Sequence, residues 1–174
     1  MQDLSKFNRF VDLFEKWNRS INLSAASSRG EILEHVEDSL AVVSVLRRLQ
    51  AHRVLDVGSG GGFPVVIAAI ELPEVQFVSL EPIHKKQAFL KTAARELGLA
   101  NLDARAERIE DHMTNDYDVA MSRATFELSE WLQTGARFVR AGGHVIGFEA
   151  QLRSDLGAVE RMPYSIAGLS LIHI

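Results

Sequence analysis

The sequence predicts an α/β fold, a mostly parallel sheet with a helical cap at its N-terminal end. Three observations predict it. Apolar residues recur at helical spacing through roughly the first fifty positions. From Arg53 onward, short β-rich runs alternate with helical segments, the pattern of a parallel sheet covered on both faces. The first β-run ends in a cluster of glycines, the place where such sheets bind ligands.

The 174 residues are expected to form one domain, with 1–50 as the helical cap and 51–174 as the α/β core. With 47 % apolar and 24 % charged residues the chain can bury a core, which excludes a disordered or collagen-like protein. The longest apolar run, Val65 to Ile70, is far shorter than the roughly 20 residues a bilayer requires. The start has no basic stretch followed by an apolar one, so no secretory signal is read there. Cysteine is absent, which excludes a disulfide scaffold, a cysteine-ligated metal and a thiol nucleophile. A cytoplasmic protein without a membrane partner is expected. The net charge of −4 gives no global positive field for nucleic acid. The excess of arginine, 14 against 5 lysines, suits phosphate contacts and equally suits a bias from a GC-rich genome.

In the first helix Leu4, Phe7, Phe10, Val11, Phe14 and Trp17 share a face. A polar break covers Asn18 to Gly30. A second helix, Glu31 to Leu49, carries Leu33, Val36, Leu40, Val43 and Leu46 inward. Val54 to Val57 is the first strand, and a helix follows Pro64, a residue favoured in the first turn. Val75 to Leu80 is the second strand. Lys85 to Leu97 is a helix stopped by Gly98. Asn101 to Ala104 and Tyr117 to Met121 are strands, and Glu127 to Val139 a helix. Gly142-Gly143 is read as a turn into a strand at His144 to Phe148. The tail offers a short helix at Leu152 to Arg161 and an apolar run at Leu169 to Ile174.

In a sheet of this kind function sits at the carboxyl ends of the strands. The first of these reads Val54-Leu55-Asp56-Val57-Gly58-Ser59-Gly60-Gly61-Gly62-Phe63-Pro64. Its glycines fall as G-x-G-x-G, not the G-x-G-x-x-G of a nicotinamide-nucleotide site. With Asp56 two residues ahead of Gly58, the segment resembles the first motif of class I S-adenosylmethionine-dependent methyltransferases, which have a Rossmann-like sheet. Glu81, at the end of the second strand, is placed to accept both ribose hydroxyls of an adenosine.

Further segments resemble one family. Trp17-Asn18-Arg19-Ser20-Ile21-Asn22-Leu23-Ser24-Ala25 is similar to its W-N-x-x-x-N-L-[ST]-A segment, and His35-Val36-Glu37-Asp38-Ser39-Leu40 to its H-x-x-D-S-L helix. Asp56 to Pro64 is similar to its glycine loop, Lys85-Lys86-Gln87-Ala88-Phe89-Leu90 to its K-[KR]-x-x-F-L, and Ser122-Arg123-Ala124 to its S-R-A. This is the RsmG family, also called glucose-inhibited division protein B, and the resemblance spans about residues 10–145. It implies N7 methylation of a guanine in the 530 loop of bacterial 16S rRNA, with S-adenosylmethionine as cofactor and the small ribosomal subunit as partner. For the cofactor it implies Asp56, Gly58, Ser59, Gly60, Gly62, Phe63, Glu81 and Pro82, with Ala106 and Glu107 beside the adenine. Arg123 is implied to lie near both cofactor and target base, as the catalytic residue. No metal is implied, and a monomer is expected.

The chemistry points the same way. Guanine N7 has an in-plane lone pair and carries no proton, so positioning and charge placement suffice without a general base. The chain has neither the cysteine that 5-methylcytosine formation requires nor the [DN]-P-P-[FYW] element usual for exocyclic amines. A protein that binds the cofactor and works by interaction would look the same, as would a methyltransferase acting on another RNA or a small molecule. His35, Asp38 and Ser39 share one helical face, but a hydrolytic triad is rarely built within one turn, and bracing of the helix against the cofactor end of the sheet is expected. The six histidines are dispersed, without zinc-like spacing. Lys85, Lys86, Lys91 and Arg95 form one basic strip, and Arg47, Arg48, His52 and Arg53 another, for RNA phosphate or simply for solvent. Departures from the family pattern are Glu34, Val65, Phe148-Glu149-Ala150 and a tail without a basic end, in which about 25 residues leave little room for a helix and two strands. They bear on substrate recognition more than on the cofactor.

Overall fold

The computed structural model describes residues 4–26, 28–123, 125–149, 160–162 and 168–173. Two helices open the chain, α1 (Leu4–Ile21) and α2 (Arg29–Arg48). β1 (Arg53–Val57), α3 (Val65–Glu71), β2 (Gln76–Leu80), α4 (His84–Leu97) and β3 (Leu102–Arg105) follow. Next come β4 (Tyr117–Ser122), α5 (Leu128–Gly135), β5 (Val139–Glu149), β6 (Glu160–Met162) and β7 (Gly168–His173). The seven strands form one sheet in the order β3-β2-β1-β4-β5-β7-β6. β1 to β5 run parallel, whereas β7 is antiparallel to both β5 and β6. Chain direction across the sheet reverses between β1 and β4, which opens a crevice at their carboxyl ends. Among the described residues no helix is long and apolar enough to cross a membrane.

Alternation along each strand sends side chains to two cores. Val54, Phe77, Val119 and Ile146 pack with α1 to α4. Leu55, Val78, Ala120 and Val145 pack with Leu128, Trp131 and Leu132 of α5. The α1 stripe is buried as expected at Phe7, Phe10, Val11 and Phe14, while Leu4 stays exposed at the helix start. In α2 Val36, Val43 and Leu46 of the expected stripe are buried and Leu40 packs against the core, and Ile32 and Ser39 widen the inward face. Leu33, expected inward, is exposed. The helix also starts earlier than expected, because Ser28 and Glu31 form a reciprocal capping box.

α5 ends at Gly135, short of the expected Val139, and Gly135 packs so closely on β5 that a side chain there would meet Val145 Cγ1 at 2.7 Å. β5 then runs through the expected Gly142-Gly143 turn, but not in register. Tyr117 pairs with Val139 and Val119 with His144, so residues 140–143 stand out of the ladder as a bulge. The tail differs more. Glu160 and Arg161, expected in a helix, belong to β6, and the remainder of that expected helix lies outside the described residues. The final apolar run is β7, inserted between β5 and β6. Two strands fit the short tail because β6 has only three residues.

Candidate functional site

β1 delivers the chain at Val57 into the glycine loop. The Gly58 N–H donates to Leu80 O at 2.8 Å, which pins the loop to the end of β2, and the Gly62 N–H donates to Ser59 O at 2.7 Å. Gly58 is left-handed at φ 73°, and a Cβ there would lie 2.1 Å from Thr125 Oγ1. Gly61 meets the cap instead: a Cβ there would lie 2.6 Å from Phe14 Cε2. Glu81 closes the loop from the other side. Its Oε2 accepts from Gly60 N at 2.8 Å and its Oε1 from Ile83 N at 2.9 Å.

Asp56 lies beneath this loop and is 1 % exposed. Burial pushes its carboxyl up to about 7, helped by nearby Glu81, while Ser59 and Arg123 pull the other way. Its Oδ2 has no hydrogen-bond partner among the described residues. Around it the hydroxyls are tied up. Ser79 donates to Ser59 Oγ at 2.8 Å, and Ser122 donates to Val57 O at 2.8 Å.

Arg123 follows β4, half-buried, and faces α2. Its guanidinium donates to His35 Nδ1 at 3.0 Å and lies 6.0 Å from the Phe63 ring centre. The His35 ring is itself 5.4 Å from Phe63. Burial, and then Arg123, lower the His35 pKa. Burial raises the Asp38 carboxyl, with Arg123 opposing. Ser39 takes no part in this contact, for its hydroxyl donates to His35 O within the helix at 2.6 Å.

Loop, acid and arginine surround one cleft of about 420 Å³, lined also by Leu23, Ser24, Ile83, Lys86 and Thr125. That volume lies within the range of small-molecule sites. A hollow of about 130 Å³ adjoins it across Gly58, Pro82 and Thr125 and is walled by Glu107 to Glu110 and Phe126. Glu107 is held from behind: His112 Nδ1 donates to its Oε1 at 2.9 Å, and His112 Nε2 lies 2.9 Å from Tyr117 Oη.

Of the residues expected from sequence, Gly58, Ser59, Gly60, Phe63, Glu81, Pro82 and Arg123 line the cleft. Glu107 lines the adjoining hollow. Asp56 and Gly62 stand behind the wall, and Ala106 is exposed and lines neither space. Sequence reasoning missed Leu23, Ser24, Gly61, Ile83, Lys86 and Thr125 as lining. Two signals could have found some of them. Leu23 and Ser24 sit in the segment that begins at Trp17, where Asn18 fixes the turn by accepting from Ser24 N at 3.0 Å and donating to Ala26 O at 2.8 Å. Lys86 sits in the lysine motif. Of the two basic strips only Lys86 reaches the cleft. In the other strip Arg47 pairs with Glu71 and Arg53 with Asp116. Ala124 lies outside the described residues.

Comparison with known proteins agrees with this fold. The GidB family, described as rRNA small subunit methyltransferase G, matches residues 3–165. A curated relative, ribosomal RNA small subunit methyltransferase G of Laribacter hongkongensis, is 36 % identical over 170 residues, covering 92 % of this chain and 81 % of its own. Among solved structures, a methyltransferase from Geobacter sulfurreducens superposes with a TM-score of 0.70 at 15 % identity, over 95 % of this chain and 87 % of the other. The S-adenosylmethionine-dependent methyltransferase SibL superposes with a TM-score of 0.67 at 18 % identity, over 82 % of this chain and 56 % of its own.

Proposed function

The chain belongs to the GidB family, rRNA small subunit methyltransferase G, and from that premise we propose that it transfers the methyl group of S-adenosylmethionine to N7 of a guanine in 16S rRNA. The observation that carries this reading is the convergence of the glycine loop, Glu81 and Arg123 on one cleft at the reversal point of the sheet.

The residues present fit the cofactor. The backbone at Gly60 is open, with nothing nearer a Cβ there than Gly58 O at 3.8 Å, so a ligand can approach closely. Each Glu81 oxygen accepts one N–H and keeps a lone pair for a ribose hydroxyl. Glu107 walls the adjoining hollow, to which this reading assigns the adenine. Asp56, a buried carboxyl with an orphaned oxygen, suits a cationic ligand above it. When bound, S-adenosylmethionine supplies an electrophilic methyl group on a sulfonium.

The chain's own residues bind and orient. Among the described residues Glu81 is the one carboxylate in the cleft lining, and both its oxygens are already engaged by backbone N–H groups. The cleft therefore offers positioning groups, which is what attack by the unprotonated N7 requires. Arg123 places a fixed positive charge at the mouth, where it can hydrogen-bond guanine O6 or a phosphate. Lys86 adds a second cation there. On this reading the whole chain is one methyltransferase domain, with 1–50 capping the 51–174 core. It acts in the cytoplasm as a monomer. Family membership, with Arg123 in place, favours an enzyme over a protein that only binds the cofactor.

The test is transfer of labelled methyl from S-adenosylmethionine to small subunits that lack the modification, followed by RNA digestion and mass analysis. N7-methylguanosine is expected, with kcat down about 100-fold in Arg123→Ala, in line with loss of one electrostatic anchor. Label on any other atom, or none, overturns the reading.

A further inference from the structure

We propose that His35 is the positioning residue for Arg123, holding the guanidinium toward the target base through a neutral Nδ1 acceptor. The inference rests on the functional reading above. The guanidinium has only donors and does not deprotonate. At 3.0 Å from Arg123, His35 Nδ1 must therefore offer its lone pair, with the ring proton on Nε2. The ring is held in turn. It lies 5.4 Å from Phe63 of the glycine loop, and its helix is packed between α1 and α3. A long, rotamer-rich side chain is thus ordered before substrate arrives, so its ordering does not fall on the transition state. A neutral acceptor also suits the task better than a carboxylate would. It fixes direction without itself adding a negative charge beside the guanidinium.

The groups facing His35 set the sign of its pH response. Arg123 approaches from the β4–α5 loop, and Glu31, Glu34 and Asp38 belong to its own helix, while Phe63 is uncharged. Burial and Arg123 outweigh the three carboxylates and lower the pKa, so Nδ1 stays an acceptor at neutral pH. As pH falls through that lowered pKa, Nδ1 gains a proton, becomes a donor and repels Arg123.

Two substitutions separate the hydrogen bond from the ring contact. His35→Phe keeps the ring against Phe63 and removes the acceptor. His35→Asn removes the ring and keeps an acceptor near the Nδ1 position. Methyl transfer to small subunits is measured from pH 5 to 8, with S-adenosylmethionine affinity by calorimetry. His35→Phe is expected to lower kcat about 10-fold or more, with cofactor Kd changed less than about threefold. His35→Asn is expected to stay within about threefold of wild type and to lose the acid limb of the pH profile. In an Arg123→Ala background His35→Phe should add no further loss, because the two act as a unit. His35→Phe equal to wild type, His35→Asn as defective as His35→Phe, or independent losses in the double variant would each overturn the inference. Failure of wild-type protein to methylate the subunit overturns the functional reading, and the inference with it. Wild-type transfer with these variant results reversed overturns the inference alone.

Discussion

Asp56 is the residue whose environment fits its usual charge least. Its carboxyl sits at about 7 in the fold against an ordinary value of 3.8. A pKa raised by folding means that the native state holds a proton the unfolded chain has released. The associated stability is complete below about pH 4 and is lost as pH rises through 7. Asp56→Asn removes that titration. Relative to wild type, the variant is expected to gain on the order of 1–3 kcal/mol between pH 4 and pH 8. That range follows from roughly 1.4 kcal/mol for each pH unit separating the folded and unfolded values, discounted for local relaxation. Denaturant midpoints at the two pH values check this, and an equal difference at both would refute it. The position of Asp56 before the glycines was legible in the sequence. Its ionisation was not, because that depends on β2, β4 and Arg123 closing over it. The same holds for Arg123, whose motif was readable while its partner His35, 88 residues earlier, was not.

At the scale of elements, the contact between α1 and the glycine loop ties cap to core. Phe10 and Phe14 of α1 meet Phe63 at 5.2 and 5.3 Å between ring centres and Phe89 of α4 at 6.1 and 5.9 Å. Trp17 reaches Phe89 at 5.7 Å. Phe14 approaches the loop this closely only because residue 61 has no side chain. Gly61→Ala is expected to destabilise the fold by about 1–3 kcal/mol through overpacking. Phe14→Leu in the same chain should recover part of that loss. Thermal unfolding of the two single variants and the double reads the coupling, and strict additivity would count against the contact. The helical face of α1 was legible from spacing, but what it packs against was not, because aromatic periodicity carries no address. Elements with a clear period were read to within a few residues. The misreadings came from local chemistry, namely the Ser28–Glu31 box that starts α2 early and the bulge at 140–143 in β5. The tail strands owe their state to long-range pairing, β7 with β5 and β6 with β7, which local spacing does not reveal.

For the molecule as a whole, the parallel order and the ligand crevice followed from alternating elements and one glycine cluster. The seven-stranded sheet with its antiparallel edge did not. Charge contributes little to holding this assembly together. Arg9, Arg29, Arg53 and Arg105 are paired at the surface, where ion pairs add little net stability. The two apolar cores carry the fold. The cleft, in contrast, gathers the ends of β1, β2 and β4 together with the turn after α1. A ligand seated there touches four separate parts of the chain and binds only when all are assembled, so its binding energy adds to global stability. At a concentration 100 times its Kd, S-adenosylmethionine should add about 2.7 kcal/mol. For a chain of this size that corresponds to a rise in Tm of about 5–10 °C. NAD at the same concentration should leave Tm unchanged, because the glycine spacing does not suit a dinucleotide. Glu81→Ala should abolish most of the cofactor's effect by removing the acceptor for the ribose. An equal rise with NAD, or an undiminished rise in Glu81→Ala, would mean that the cleft does not hold the nucleoside as assigned.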